Sequence, residues 1–171
     1  MDKPLNICVI CSGNISRSPF GEYVLRKELK NKHNVYSAGT LGIFGRTAYE
    51  PCIIIGKEYG LDLTPHRSQG LTPIFAEKTD FFLVMTHQHS KELQRNYGIS
   101  KEKILLLSDF LENDDTIHLG ILGDTKRGED IPDPMGQKIE VVRPVLEVVR
   151  TTCLLFVKWL ETHGKEQSRD K

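Results

Sequence analysis

The sequence predicts a single α/β domain built on a parallel sheet with helices over both faces, and three features carry that prediction. Short apolar runs alternate along the chain with segments of helical period, as in a sheet whose crossovers are helices. The first run, Leu5-Asn6-Ile7-Cys8-Val9-Ile10, is short, rich in β-branched residues and mostly apolar, as suits a strand buried on both faces. It passes directly into Cys11-Ser12-Gly13-Asn14-Ile15-Ser16-Arg17-Ser18-Pro19, a loop that ends in a helix start. There Ser18 can cap, and Pro19 is pre-set for the first helical position.

A chain of 171 residues can bury one substantial core. Its 23 basic and 23 acidic residues cancel to a net charge of zero, so no global attraction to nucleic acid or to an acidic membrane is expected. No run approaches membrane-spanning length and no secretory signal pattern opens the chain, so a cytoplasmic protein is the expectation. The cysteines at 8, 11, 52 and 153 lack paired metal-ligand spacing and are expected to be reduced thiols.

Taken in order, the first helix is predicted over Pro19 to Leu29, with Phe20, Val24 and Leu25 inward and Glu22, Arg26 and Lys27 outward. A second strand covers His33 to Ala38 and stops at Gly39. The loop from Thr40 to Arg46 carries Leu41, Ile43 and Phe44. Thr47 with Glu50 reads as a capping box for a helix ending at Gly60, with Pro51 in its first turn. A polar connection from Asp62 to Gly70 leads to a short helix opened by Thr72-Pro73 and a buried strand from Phe81 to Met85. The next helix is expected to start near His89 or Ser90 and close at Gly98, and Lys103 to Leu107 forms the fourth strand.

Ser108 to Met135 is rich in Asp, Gly and Pro without sustained period, which reads as a long loop with about one helical turn. Apolar Val142, Val145, Leu146, Val149, Leu155, Phe156 and Trp159 mark a final helix over Ile139 to Thr162, which Pro144 should kink or restart. Residues 1–163 form the expected domain, and 164–171 a charged, frayed tail.

The chemistry gathers at the first loop. Its backbone N–H groups can face a common centre with a helix dipole behind them, which is an anion-binding arrangement. A thiol at a helix N-terminus beside Arg17 is in a setting that stabilises the thiolate. Arg17 offers a planar fork matched to two phosphoryl oxygens, whereas a cation at this helix end would oppose the dipole unless an anion sat there. Gly13 permits close backbone approach, and Asn14 tolerates a left-handed conformation. Cys8 reads as an inert buried thiol, and His66, His87 and His89 read as polar residues rather than metal ligands.

Cys11 through Pro19, together with the distant Asp133-Pro134, closely resembles the phosphate-binding loop and acid element of the low-molecular-weight protein tyrosine phosphatases. The resemblance extends over nearly the whole chain. It implies a three-layer α/β sandwich of the phosphotyrosine phosphatase I type, with a four-stranded parallel sheet in the order 2-1-3-4. It implies hydrolysis of phosphotyrosine and small aryl phosphates through a phosphocysteine, without metal or organic cofactor. Cys11 would be the nucleophile and Asp133 the general acid and base, ahead of Asp130 and Asp124. The loop Cys11 to Ser18 would hold the phosphate, or another oxyanion, and Ser18 would also bond the thiolate. Asn14, Ser37 and His66 would brace the loop. The expected partner is a phosphotyrosine protein, and the expected state a monomer or a weak self-associate.

Two positions depart from the family's pattern. Ser16 stands where many members carry a second cysteine, so oxidised Cys11 should be harder to rescue. Met135-Gly136 replaces tyrosines that line the site mouth in eukaryotic members, leaving Phe44, Tyr49 or Phe110 to supply aromatic walls. Rival readings are a protein arginine phosphatase, whose resembling members carry threonine where this chain has Ile15, and an arsenate reductase, which needs cysteines absent between His87 and Asp133. A phosphate-binding module without turnover, or a sulfurtransferase, would not need Asp133.

Overall fold

The structure, a computed structural model, describes residues 3–163; the tail expected at 164–171 lies outside the described residues. Four parallel strands form the central sheet: β1 (Asn6–Cys11), β2 (Asn34–Gly39), β3 (Phe81–Val84) and β4 (Ile104–Leu106). Their order is β2-β1-β3-β4, with Cys11 opposite Gly39 and Ile10 opposite Val84, so the implied order is the observed one.

Side chains alternate across β1 and divide the core in two. Ile7, Val9 and Cys11 enter a larger cluster with Phe20, Val24 and Leu25 of α1 (Arg17–Leu29), Cys52 and Ile55 of α2 (Glu50–Glu58) and Val145, Val149 and Phe156 of α5 (Ile139–His163). Cys8 and Ile10 face Ala76 of α3 (Pro73–Lys78) and Leu93 of α4 (His87–Tyr97) on the opposite side. The result is three layers. Among the described residues, no helix is long and apolar enough to cross a membrane.

Several boundaries differ from the sequence reading for local reasons. Helix α1 begins at Arg17, earlier than Pro19, and Ser16 occupies its cap position without a side-chain cap bond. The capping box at Thr47 does not form; Tyr49 takes the cap position of α2, and Pro51 does fall in the first turn. Thr86 Oγ1 accepts from His89 N at 3.1 Å, which moves the start of α4 back to His87. Helix α5 continues through Pro144, which near the N-terminus costs only the bond to the carbonyl of Glu140. Within Ser108 to Met135, Ile117–His118 and Asp124–Thr125 pair as a small antiparallel ribbon, β5 and β6, joined by a 3-10 turn at Gly120–Leu122 and preceded by one at Leu107–Phe110.

Glu22 is the clearest correction. The helical period placed it outward with Arg26 and Lys27, yet it is buried between α1 and β2. It remains tolerable there because Ser37 Oγ donates to its Oε2, and Arg26 Nη2 lies 2.6 Å from its Oε1.

Candidate active site

The loop between β1 and α1 sits at the C-terminal ends of the strands, where open parallel sheets place their ligand sites. It lies tight against β2. A Cβ on Gly39 would come within 2.5 Å of the Ser12 carbonyl oxygen, so only glycine lets the strand and loop approach this closely. The sequence reading assigned Gly39 only a strand-ending role. Asn14 adopts φ 56°, the expected left-handed conformation.

Asn14 is tied at every polar atom of its side chain. Its Nδ2 donates to Ser18 Oγ at 2.9 Å and to Ser37 Oγ at 2.8 Å, while Oδ1 accepts from Gln69 N at 2.9 Å. The Asn14 carbonyl accepts from His66 Nε2 at 2.8 Å. Burial holds the His66 imidazolium form below its usual pH range. Asn14, Ser18, Ser37 and His66 are therefore one brace beneath the loop, extended to the unanticipated Glu22.

That brace orients a proton toward sulfur. Ser18 Oγ stands 2.9 Å from Cys11 Sγ, and because it already accepts from Asn14, its own hydroxyl proton is free to donate to Cys11. The expectation that Ser18 caps the helix is corrected accordingly: the hydroxyl is engaged by the thiol. Ser16 likewise turns away from the helix end and pairs with Cys52 Sγ at 3.2 Å.

Among the described residues, no carbonyl or side chain accepts from the amides of Ser12 to Ser18. Arg17 is buried to 2 % exposure. Its Nη1 donates to Ile131 O at 2.8 Å and its Nη2 lies 3.2 Å from Asp133 Oδ2, but its buried Nε has no partner. Unpaired buried N–H donors are rare, and here they cluster beside a thiol at a helix N-terminus.

Asp133 is the carboxylate brought to the loop. The segment carrying it is pinned by Ile131 N to Met85 O at 2.8 Å, at the end of β3. The other candidates are occupied elsewhere, Asp130 Oδ1 accepting from His87 N and Asp124 Oδ1 pairing with His118. The three histidines are dispersed over different partners: His66 on Asn14, His87 Nε2 on Gly128 O, and His89 Nε2 on Ser12 Oγ. His89 is 3 % exposed, and burial, followed by the charge of Arg17, pushes its pKa down to about 4.

The expected aromatic walls separate. Phe44 is exposed and lies against Gly70, while Ile43 reaches to Gly13 of the loop. Tyr49 is half-buried, and its hydroxyl donates to Gln137 O at 2.8 Å. Phe110 is corrected: it packs on Phe156 and Trp159 with ring centroids 5.5 and 5.7 Å away, in the aromatic cluster against α5.

Comparison with known proteins places this geometry. The protein-tyrosine-phosphatase Ptp of Acinetobacter johnsonii is 30% identical over 129 residues, 75% of this chain and 79% of its own. Vibrio vulnificus Wzb, solved in complex with benzylphosphonate, superposes with TM-score 0.77 at 29% identity, covering 92% of this chain and 100% of that one. The YwlE arginine phosphatase of Geobacillus stearothermophilus superposes with TM-score 0.80 at 27% identity, covering 95% and 97%. A sequence model described as low molecular weight phosphotyrosine protein phosphatase matches residues 6–168, and with that match the chain belongs to the low molecular weight phosphotyrosine protein phosphatase family.

Proposed function

We propose that this protein hydrolyses phosphotyrosine in proteins, and small aryl phosphates, with Cys11 as nucleophile, Arg17 as phosphate ligand and Asp133 as general acid and base. The observation that carries the reading is the pairing of Cys11 Sγ with the Ser18 hydroxyl inside a loop whose amides, and the buried Arg17 Nε, lack acceptors among the described residues. In the first step the thiolate attacks phosphorus, the P–O bond to the aryl group breaks, and Asp133 gives its proton to the departing oxygen. In the second, water attacks the phosphocysteine, Asp133 takes a proton from it, and the P–S bond breaks to return the thiolate. Ser18 stabilises that departing sulfur. The loop amides and Arg17 hold the equatorial oxygens in both steps.

A second reading, arginine phosphatase, is supported by the superposition on the YwlE enzyme. Ile15 favours the aryl ester. Its side chain is almost fully buried, lies against Gly13 and has no hydroxyl to receive a guanidinium N–H.

The test is phosphate release from p-nitrophenyl phosphate, a phosphotyrosine peptide and phosphoarginine, by wild type and Cys11→Ser, with a chelator present. Turnover of both aryl esters that survives the chelator and vanishes in Cys11→Ser is the expected result. Preferential release from phosphoarginine would select the second reading, and phosphate binding without turnover would reduce the site to a binding module.

A further inference from the structure

Tyr49 occupies an unusual place. Its amide N–H donates to the Ile15 carbonyl of the phosphate loop at 2.8 Å, and its hydroxyl donates to the Gln137 carbonyl at 2.8 Å, 88 positions along the chain. Between these contacts its own carbonyl accepts from Cys52 N and Ile53 N as α2 begins. One residue thus touches the nucleophile's loop, the start of α2 and the segment that carries Asp133.

The acceptor on that segment is a defined turn. Gln137 N donates to Pro134 O at 3.1 Å, Met135 N donates to Asp133 Oδ1 at 3.1 Å, and Gly136 takes φ 80°. Before the turn, the segment is held at Ile131 by Met85 N-terminally and by Arg17. After it, the hydroxyl of Tyr49 is the tie to the phosphate loop. Asp133 itself is half exposed; Arg17 Nη2 and Met135 N hold its two carboxylate oxygens, and the anchors at Ile131 and Tyr49 set where the backbone that carries it stands.

We infer that Tyr49 is a positioning residue for general-acid catalysis: its hydroxyl fixes the turn Asp133 to Gln137 at a set distance from the phosphate loop and so aims the Asp133 carboxyl at the leaving oxygen. The inference rests on the acid assignment proposed above. It replaces the expected role of Tyr49 as an aromatic wall.

The experiment compares phenyl phosphate, a poor leaving group that needs a proton, with p-nitrophenyl phosphate, a good one that needs it less, in wild type, Tyr49→Phe, Asp133→Ala and the double variant. Tyr49→Phe keeps the ring and removes only the hydroxyl. It should lower kcat/KM for phenyl phosphate about tenfold and for p-nitrophenyl phosphate only about twofold. In the Asp133→Ala background it should cost nothing further, because the group it aims is gone. Amide exchange, which does not depend on turnover, should accelerate about tenfold at Met135 and Gln137 in Tyr49→Phe while the amides of β1 stay protected.

Equal losses on both esters, an additive loss in the double variant, or unchanged exchange at Met135 and Gln137 each overturns the inference. If the acid assignment is what fails, Asp133→Ala alone retains the wild-type rate on phenyl phosphate before Tyr49 is altered. That result overturns both.

Discussion

Arg17 Nη2 lies 3.2 Å from Asp133 Oδ2, a buried guanidinium against a half-exposed carboxylate. The contact joins the loop after the first strand to a segment that follows the fourth, and it sets the proposed phosphate ligand beside the proposed acid. A pair of this kind, open to water on one side, adds modestly to stability. Its larger consequence is geometric, since Arg17 also holds Ile131 and leaves Nε for an oxyanion.

Arg17→Lys should lower kcat/KM on aryl phosphates by about 10²–10³, because an ammonium cannot hold Ile131, face Asp133 and still present a fork to phosphate. Inorganic phosphate should raise the melting temperature of wild type but not of this variant. Phosphate stabilisation that persists undiminished in Arg17→Lys would remove Arg17 from the phosphate site.

Ser37→Ala should destabilise the fold by about 1–3 kcal/mol, measured by urea unfolding, since it leaves the Asn14 amide and the buried Glu22 carboxylate each short of a partner. Activity should fall with it as Asn14 loosens. A cost below about 0.5 kcal/mol would show that the brace does not depend on this hydroxyl.

Hydrogen peroxide should inactivate the protein in a way that thiol reductants reverse poorly. Cys52 lies against Ser16 of the loop, and burial pushes its pKa up to about 12, so it is not a nucleophile at neutral pH. Mass spectrometry should find Cys11 carrying one or more oxygens, and Cys52→Ser should behave as wild type. Full recovery accompanied by a disulfide from Cys11 to Cys8, Cys52 or Cys153 would refute this.

Stability should fall as acid is added through the histidine range, in part because of His89. Its protonation is opposed by burial and by Arg17, and only partly favoured by Glu92, Asp130 and Asp133. With its pKa lowered to about 4 in the folded protein, the unfolded chain binds the proton first; stability is therefore full above the unfolded value and lost as pH falls toward the folded one. The contribution is on the order of 2–3 kcal/mol between about pH 7 and about pH 4. His89→Gln, which can still reach Ser12, should flatten that part of the urea-unfolding profile; an unchanged slope would assign the acid sensitivity to other groups.

Much of this was legible in the chain because the determinants are local. A strand buried on both faces announces itself as the apolar run before Cys11, and Asn14 in a left-handed turn follows from its side chain. Thr72 before Pro73 and Gly98 after Tyr97 mark helix ends by backbone chemistry that any tertiary setting must respect.

Other features had no local signal. Glu22 lies on a helical face that periodicity assigns to solvent, and its burial depends on Ser37 and Arg26 arriving from separate directions. Phe110 and Tyr49 were equally suited to a site mouth by composition; packing sends one against Trp159 and hands the other's hydroxyl to Gln137.

By itself, then, the sequence determined the strand-loop-helix unit with its thiol and arginine, because spacing along a strand and a helix end prescribes where those groups stand. Only the tertiary structure decided that Arg17 holds the Ile131 carbonyl, that Glu22 is buried, and which aromatic becomes a strut. Those choices are made between segments more than a hundred residues apart in the case of Arg17 and Ile131, and parallel crossovers bring such segments together without leaving a mark in either one's local pattern.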